Sequence, residues 1–388
     1  MKFLHTADWH IGKTLKGRDR LDEQYEVIRQ IIGHARDHRV DAVLIAGDLY
    51  DSSAPTAKAQ QLVVRALLAL RDAGAKVIAI AGNHDNAATF DAYGPLMDAV
   101  DITLVGRVRP ADEGGVVSFD ARSTGERVNV AVLPFLSQRY AVKAAQLVAS
   151  TPAEMSRDYD AMVREVIEAL AASFTPGAVN VMMAHLTVVG GAFGGGERQA
   201  QSIFDYHVPA AAFPADAHYV ALGHLHRRQT LPAPAPVVYS GSPFAVDFGE
   251  QDNIPVVCLV EATPSTPAQI TDLAVTAGRR LRTVHGKVDE IVARAEEFAN
   301  DYLRVYIREP VRAGLREEVT DALPDALEVR IDPEFAVSIV DRPRSADHRD
   351  RSPAELFADF CAAKGIADDR VQALFGLLHD EVTIAGRE

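Results

Sequence analysis

Five short clusters in this chain place carboxylate, amide and imidazole groups at spacings that suit metal-ion chemistry. They are Asp8-Trp9-His10-Ile11-Gly12, Gly47-Asp48-Leu49-Tyr50-Asp51, Gly82-Asn83-His84-Asp85, a lone His185, and Gly223-His224-Leu225-His226. In an extended segment residues i and i+2 face the same way, so Asp8 and His10 are expected to aim at one position, as are His224 and His226. Together the clusters offer two carboxylates (Asp8, Asp48), one amide oxygen (Asn83) and four imidazoles (His10, His185, His224, His226), with His84 left over. That set suits two cations sharing a carboxylate, roughly 3.5–4 Å apart. Mixed oxygen and nitrogen donors without thiolate favour Mn²⁺, Fe²⁺ or Zn²⁺ over Ca²⁺. Any one cluster alone is ordinary: Gly-Asp after a strand is often a turn, and a lone histidine on an apolar strand is more often a hydrogen-bonded core residue. Five in order, each at a strand exit, make a metal site the better reading.

The elements that must position these residues are legible in the apolar periodicity. Phe3-Leu4, Ala42–Ala46 and Val77–Ile80 are short apolar runs of strand length, and residues 21–39 and 56–72 carry helical stripes between them. This β-α-β-α-β order predicts a sheet buried between helices, whose strand ends are where ligands bind. Glycines beside the ligands are expected to let the backbone turn sharply. Further strands are expected at 129–133, 179–184, 218–222, 237–240 and 255–260. Residues 261–268 (EATPSTPA) read as a linker. Residues 269–340 read as a small α+β domain, with strands at 302–308 and 327–331 around a helix near 288–299. Residues 345–352 read as a second linker, and 353–388 as two amphipathic helices broken at Gly365.

The chain has 388 residues, enough for two or three domains. No apolar run reaches membrane-span length, and Met1–His10 enters a chemical motif at once, unlike a secretory leader. Two widely separated cysteines argue against a disulfide framework and for a reducing cytoplasm. A net charge of −14 argues against a protein that coats DNA by bulk electrostatics. Bound cations would add positive charge where the acidic ligands sit.

The order Asp-x-His, Gly-Asp, Gly-Asn-His-Asp, His, Gly-His-x-His over residues 8–226 resembles the calcineurin-like metallophosphoesterase superfamily. Tyr239-Ser240-Gly241-Ser242-Pro243, with Phe248-Gly249-Glu250 after it, is similar to a segment of the SbcD-type nucleases within it. That resemblance implies a four-layer α-β-β-α sandwich over residues 1–265, a capping, DNA-binding α+β domain over 269–342, and C-terminal helices over 350–388 that dock on an SbcC-type, SMC-like ATPase. It implies one metal on Asp8, His10, Asp48 and His226 and a second on Asp48, Asn83, His185 and His224, most readily Mn²⁺. It further implies a homodimer within a heterotetramer, built through the helices at 56–72 and 88–100.

The chemistry expected is hydrolysis of DNA phosphodiesters in double-strand-break and hairpin processing. His84 would stabilise the transition state and protonate the leaving oxygen, with Asp85 holding its other N–H. Lys13, Lys16, Arg18 and Arg20 after the first motif, and Arg227 and Arg228 after the last, are candidates to grip the DNA backbone. Arg279, Arg280 and Arg282 are candidates from the small domain. The run Gly190–Gly196 reads as a flexible loop, with Glu197 and Arg198 at its edge; no Lys-Ser/Thr follows to make a P-loop. Two other readings stay open. One is a different phosphoesterase of the same superfamily, a protein phosphatase or cyclic-nucleotide phosphodiesterase, which a comparison of duplex DNA with a small diester would separate. The other is a scaffold with structural metals, which has no need of the His84–Asp85 pair.

Overall fold

Alternation along the strands decides the layers. A computed structural model of the chain describes residues 1–136, 152–197, 207–312, 314–335, 353–363 and 370–375. Six strands make the first sheet: β1 (Lys2–Thr6), β2 (Ala42–Ile45), β3 (Lys76–Ile80), β4 (Ile102–Val105), and a late hairpin of β13 (Val256–Thr263) and β14 (Thr266–Ala274). Its order is β14-β13-β1-β2-β3-β4, parallel from β1 to β4. The second sheet runs β11-β12-β10-β7-β6-β5. Its strands are β5 (Val116–Asp120), β6 (Arg127–Leu133), β7 (Val179–His185), β10 (Tyr219–Gly223), β11 (Gln229–Leu231) and β12 (Val237–Tyr239). A small pair, β8 (Thr187–Val188) and β9 (His207–Val208), lies beside it in sequence.

Every second side chain of each sheet enters one shared core. Phe3, Leu44, Ile78 and Ile80 of the first sheet meet Val130, Val181, Met183 and Ala221 of the second. The alternate residues face helices. Leu4, Val43, Ile45 and Val77 pack under α1 (Leu21–Asp37) and α2 (Ala57–Asp72). Met182, Ala184 and Val220 pack under α4 (Pro152–Ala171) through Tyr159, Val163, Ile167 and Leu170. Four layers follow, α-β-β-α, because each sheet has two apolar faces and neither can be left to water. Between β3 and β4, α3 (Ala87–Asp98) starts directly after the third cluster, with Asn86 capping the Ala88 and Thr89 amides.

Residues 261–268 correct one expectation. They are not a linker but the turn of the β13–β14 hairpin, where Thr263 pairs with Thr266 and Pro264-Ser265 makes the corner. Pro and Ser serve a tight turn as well as a linker, and the period-2 pattern on either side belongs to strands. The sandwich therefore extends to Ala274.

The small sheet is parallel, in the order β15-β16-β17, with β15 (Leu281–Gly286), β16 (Tyr302–Ile307) and β17 (Ala326–Ile331). One face carries Val284, Leu303, Val305 and Ile307 against α5 (Val288–Val292) and α6 (Leu315–Ala322). Met1–Phe335 forms one compact unit and Ala336–Glu388 another. In the second unit α7 (Pro353–Ala363) brings Phe357 onto Phe375, ring centroids 4.0 Å apart and nearly parallel. The linker expected at 345–352 and the break expected at Gly365 lie outside the described residues. No helix among the described residues is long and apolar enough to cross a membrane.

Candidate metal centre

The five clusters leave their strands at the same end of the sandwich, and the backbone kinks as it leaves. β1 ends at Thr6, so Asp8 and His10 are not in a strand; both have positive φ, 54° and 43°. Asp48 (53°) and His224 (102°) share this conformation. Four of the seven candidate ligands thus sit in a region that costs a non-glycine residue of order 1–3 kcal/mol. Convergence comes from these left-handed kinks rather than from the period-2 geometry expected of Asp8/His10 and His224/His226.

Strand pairing locks the kinked loops together. Asp8 N donates to Gly47 O, and His10 N to Asp48 O, both at 3.0 Å. The glycines turn the backbone, Gly12 and Gly47 with φ of 97° and 96°, and they also leave out a Cβ that the ligands would meet. A Cβ on Gly47 would meet His185 Nδ1 at 2.2 Å, and one on Gly82 would meet Asp48 Oδ1 at 2.1 Å.

The side chains converge from all five segments. Asp48 Oδ2 lies 3.8 Å from His10 Nε2 and 3.5 Å from His185 Nε2, so one oxygen faces both halves of the site. His10 Nε2 and His226 Nε2 approach to 3.1 Å. Asn83 Oδ1 is 2.9 Å from both His185 Nε2 and His224 Nδ1. Asp8, His10, Asp48, His185 and His226 are buried, and Asp8, His10 and His226 offer donor atoms all within 4.8 Å of one another, as do Asp8, Asp48 and His185.

This donor set fits metal ions. His185 Nδ1 donates to Ala46 O at 2.8 Å and His226 Nδ1 to Glu250 Oε1 at 2.5 Å. In the neutral imidazoles, lone pairs then sit on the Nε2 atoms that face Asp48, Asn83 and His10. Such a cluster of buried acceptors repels itself unless protons or cations stand between them. Without cations, protons fill the role. Burial opposes it, but Asp48 pushes His185 up to about 9, and Glu250 does the same for His226. Asp48 is correspondingly held well below the carboxylate range against its burial, chiefly by His185. Burial pushes Asp8 up to about 7 and His224 down to about 3.

His84 is also buried, its ring 4.6 Å from that of His10, and it offers a donor atom within 4.8 Å of those of His10 and Asp48. Its orientation corrects an expectation. Nδ1 lies 2.8 Å from the Asp51 carbonyl and donates to it, not to Asp85. The Asp85 carboxylate instead accepts three backbone amides, Leu49 at 3.2 Å, Tyr50 at 3.0 Å and Gly82 at 2.9 Å. With these three bonds Asp85 ties the second cluster to the third. Burial, with Asp48 nearby, pushes Asp85 up to about 7.

Two carboxylates that the motif reading did not use support His226. Glu250 is buried and splits its oxygens between His226 Nδ1 and the Val246 amide, the latter at 2.8 Å. Glu197 Oε1 accepts the His226 amide at 2.9 Å and the Gly194 amide at 2.6 Å. The glycine run is therefore held to the site rather than being a free loop; Arg198 lies outside the described residues. The signal for Glu250 was its place in Phe248-Gly249-Glu250, but only the fold brings it to residue 226.

The basic candidates separate by location. Lys13 Nζ is 3.1 Å from Asp51 Oδ1, at the rim. Lys16 and Arg18 reach Glu328 (3.4 Å) and Asp325 (3.6 Å) of the small domain. Arg227 bonds Asn253 and Arg228 bonds Asp272. Arg279 and Arg282 pair with Asp325 and Asp301. Arg20 is corrected: it is buried, forked onto Glu23 at 2.9 and 2.7 Å, bonded to Ala245 O, and set over Phe244. A guanidinium so enclosed has no face for a phosphate.

Comparison with known proteins agrees with this geometry. The family model described as calcineurin-like phosphoesterase matches residues 1–228, and one described as type 5 capsule protein repressor C-terminal domain matches residues 277–365. Three relatives are each named as the SbcD subunit of the nuclease SbcCD. That of Bacillus subtilis is 38% identical over 285 residues, 72% of this chain and 71% of that protein. That of Rhodobacter capsulatus is 33% identical over 260 residues, 64% of each chain. That of Escherichia coli K12 is 28% identical over 316 residues, 77% of this chain and 74% of that protein.

Proposed function

The chain belongs to the calcineurin-like phosphoesterases and, among them, to the SbcD nucleases, and from that premise we propose that it is the metal-dependent DNA nuclease of a double-strand-break processing complex. The observation that carries the reading is the single Asp48 oxygen facing both His10 and His185. In this reading Asp8, His10, Asp48 and His226 would hold one divalent ion, and Asp48, Asn83, His185 and His224 would hold the other. Oxygen and nitrogen donors without thiolate suit Mn²⁺, Fe²⁺ or Zn²⁺, and of these Mn²⁺ is the ion that the resemblance implies. Bound ions of this kind supply Lewis-acid polarisation of the phosphate and a water acidic enough to attack it at neutral pH.

The chain's own groups do the rest. His84 Nε2 is the imidazole nitrogen outside both proposed ligand sets, and it meets the phosphate or the leaving oxygen. The Asp51 carbonyl, by accepting the Nδ1 proton, fixes the tautomer and the ring direction. For His84 to protonate the leaving oxygen it must carry a second proton on Nε2. Asp85 positions rather than reacts. Glu250 raises the basicity of His226 and holds its Nδ1 proton away from the metal face.

Lys13, Lys16, Arg18, Arg227 and Arg228 line the approach for the DNA backbone. The second unit presents Leu356, Phe360 and Leu374 exposed beside the Phe357–Phe375 stack. This apolar face suits docking on the partner ATPase of the complex. The chain works in the cytoplasm, as a homodimer through α2 and α3, where Leu96 is exposed. The test is cleavage of blunt and hairpin DNA with Mn²⁺, beside hydrolysis of a small diester, with and without the partner ATPase. Turnover of the small diester with no cleavage of any DNA would move the chain to a different phosphoesterase activity.

A further inference from the structure

The second face of the small sheet has a composition that packing does not require. Registration puts Leu281, Thr283 and His285 of β15, Tyr302, Arg304 and Tyr306 of β16, and Glu328 and Arg330 of β17 on that side. The face changes character along its length. At its foot Leu281 and Tyr302 are buried with Leu15 and Phe248 of the sandwich. In the middle Arg304 donates to Thr283 Oγ1 at 3.0 and 3.1 Å. At the far end His285 and Tyr306 stand face to face, centroids 4.9 Å apart and planes 11° from parallel, with Arg330 directly across from Tyr306.

We propose that this face is a stacking platform for the unpaired bases of single-stranded DNA; the inference rests on the nuclease reading above and goes beyond it. Three observations carry it. The first is the ring pair itself. His285 lies on the edge strand of the sheet, with 41% of its side chain exposed, so the π-stack is open to extension by a planar ring. A buried core gains nothing from rings in that position, whereas bases stack on aromatic and imidazole faces whatever their identity.

The second is charge. The cations of this end face solvent and the carboxylates lie beneath them. Arg330 is 61% exposed and Arg308 48%, while Glu328 and Asp332, their partners, are 10% and 9% exposed. The acidic groups hold the guanidinium stems, and the outer surface is complementary to phosphate in a chain that is otherwise strongly acidic.

The third is continuity with the metal centre. Glu250, which bonds His226, is followed by Gln251, whose side-chain oxygen accepts the Thr283 amide at 2.9 Å. From Thr283 the strand runs straight to His285, about 7 Å further on. The platform is thereby tied to the segment that supports the metal ligand His226.

The experiment uses the full chain. Anisotropy of a labelled oligothymidylate and of a blunt duplex of equal length is titrated in EDTA, to prevent cleavage, for wild type, His285→Ala, Tyr306→Ala and Tyr306→Phe. Hydrolysis of bis-p-nitrophenyl phosphate with Mn²⁺ reports an intact centre. Loss of a stacking partner weakens oligothymidylate binding by roughly fivefold to a hundredfold. The two alanine variants show this loss, Tyr306→Phe binds as wild type, and duplex binding and diester hydrolysis are unchanged. Oligothymidylate binding at wild-type affinity in His285→Ala overturns the platform, as does an equal loss for duplex and single strand, which would assign the face to phosphate charge alone. The partly exposed His285 carries the test if Tyr306→Ala fails to fold. If the wild type cleaves no DNA while the variants still lose oligothymidylate, the nuclease reading fails and the platform stands.

Discussion

Replacing Glu250 with glutamine tests whether a metal ligand depends on a carboxylate far from it in sequence. Both Glu250 oxygens are acceptors, one for His226 Nδ1–H at 2.5 Å and one for the Val246 amide at 2.8 Å. Glutamine keeps the volume, which matters because a Cβ on Gly196 would lie only 2.0 Å from Oε1. It has one acceptor and one donor, so the two N–H groups can no longer both be accepted. If the NH₂ faces Val246, a buried amide loses its acceptor, at a cost of about 1–3 kcal/mol. If it faces His226, Nδ1 must become the acceptor, the proton moves to Nε2, and the nitrogen facing His10 can no longer bind a cation. Either way the carboxylate charge that raises the basicity of His226 is lost as well, so metal affinity should fall by roughly tenfold to a hundredfold, or about 1.4 to 3 kcal/mol, the range seen when such outer partners are removed. Titration calorimetry with Mn²⁺ should show one of two affinities falling by that factor, with the other preserved. Two unchanged affinities with unchanged diester hydrolysis would refute the dependence of His226 on Glu250.

Other perturbations separate the remaining roles. His84→Ala should keep both metal affinities and lose about 10²–10⁴-fold in DNA cleavage, measured by single-turnover gel assay. Gly82→Ala puts a methyl group 2.1 Å from Asp48 Oδ1, so the shared ligand is displaced and calorimetry should find neither ion bound normally. Asp85→Ala strands three buried amides; at the low end of the cost for each, unfolding free energy should fall by about 3 kcal/mol, read by denaturant titration. His185 and His226, held up to about 9 in the metal-free protein, carry protons at pH 7 that a cation must displace. Apparent Mn²⁺ affinity should therefore rise between pH 7 and pH 9, roughly tenfold per pH unit for each proton released.

Much of the sandwich could be read from periodicity. β1–β3, α1 and α2 fall where apolar runs alternate with helical stripes, since a strand buried on both faces is apolar throughout and a surface helix on one side only. α4 also carried such a stripe in Tyr159, Val163, Ile167 and Leu170. The hairpin at 261–268 was harder, because Pro, Ser and Thr make both turns and linkers. The strand β15 was missed because its polar residues, Arg282, Thr283 and His285, belong to a sheet face that is not a core.

For the site, residue types and spacing were enough to single out the seven candidate ligands and His84, because few chemistries need so many nitrogen and oxygen donors at strand exits. What holds each of them could not be read. Asp85 is adjacent to His84 in sequence yet bonds three other amides, and Asp51, thirty-three residues earlier, supplies the carbonyl. Arg20 follows a basic run and is buried. Hydrogen-bond partners are fixed by distances of a few ångströms between segments far apart along the chain, and local pattern carries no term for that. The donor chemistry of this protein was set by its sequence; which groups orient those donors, and which charges are left for a substrate, was decided only when two sheets closed on each other and brought the kinked strand ends together.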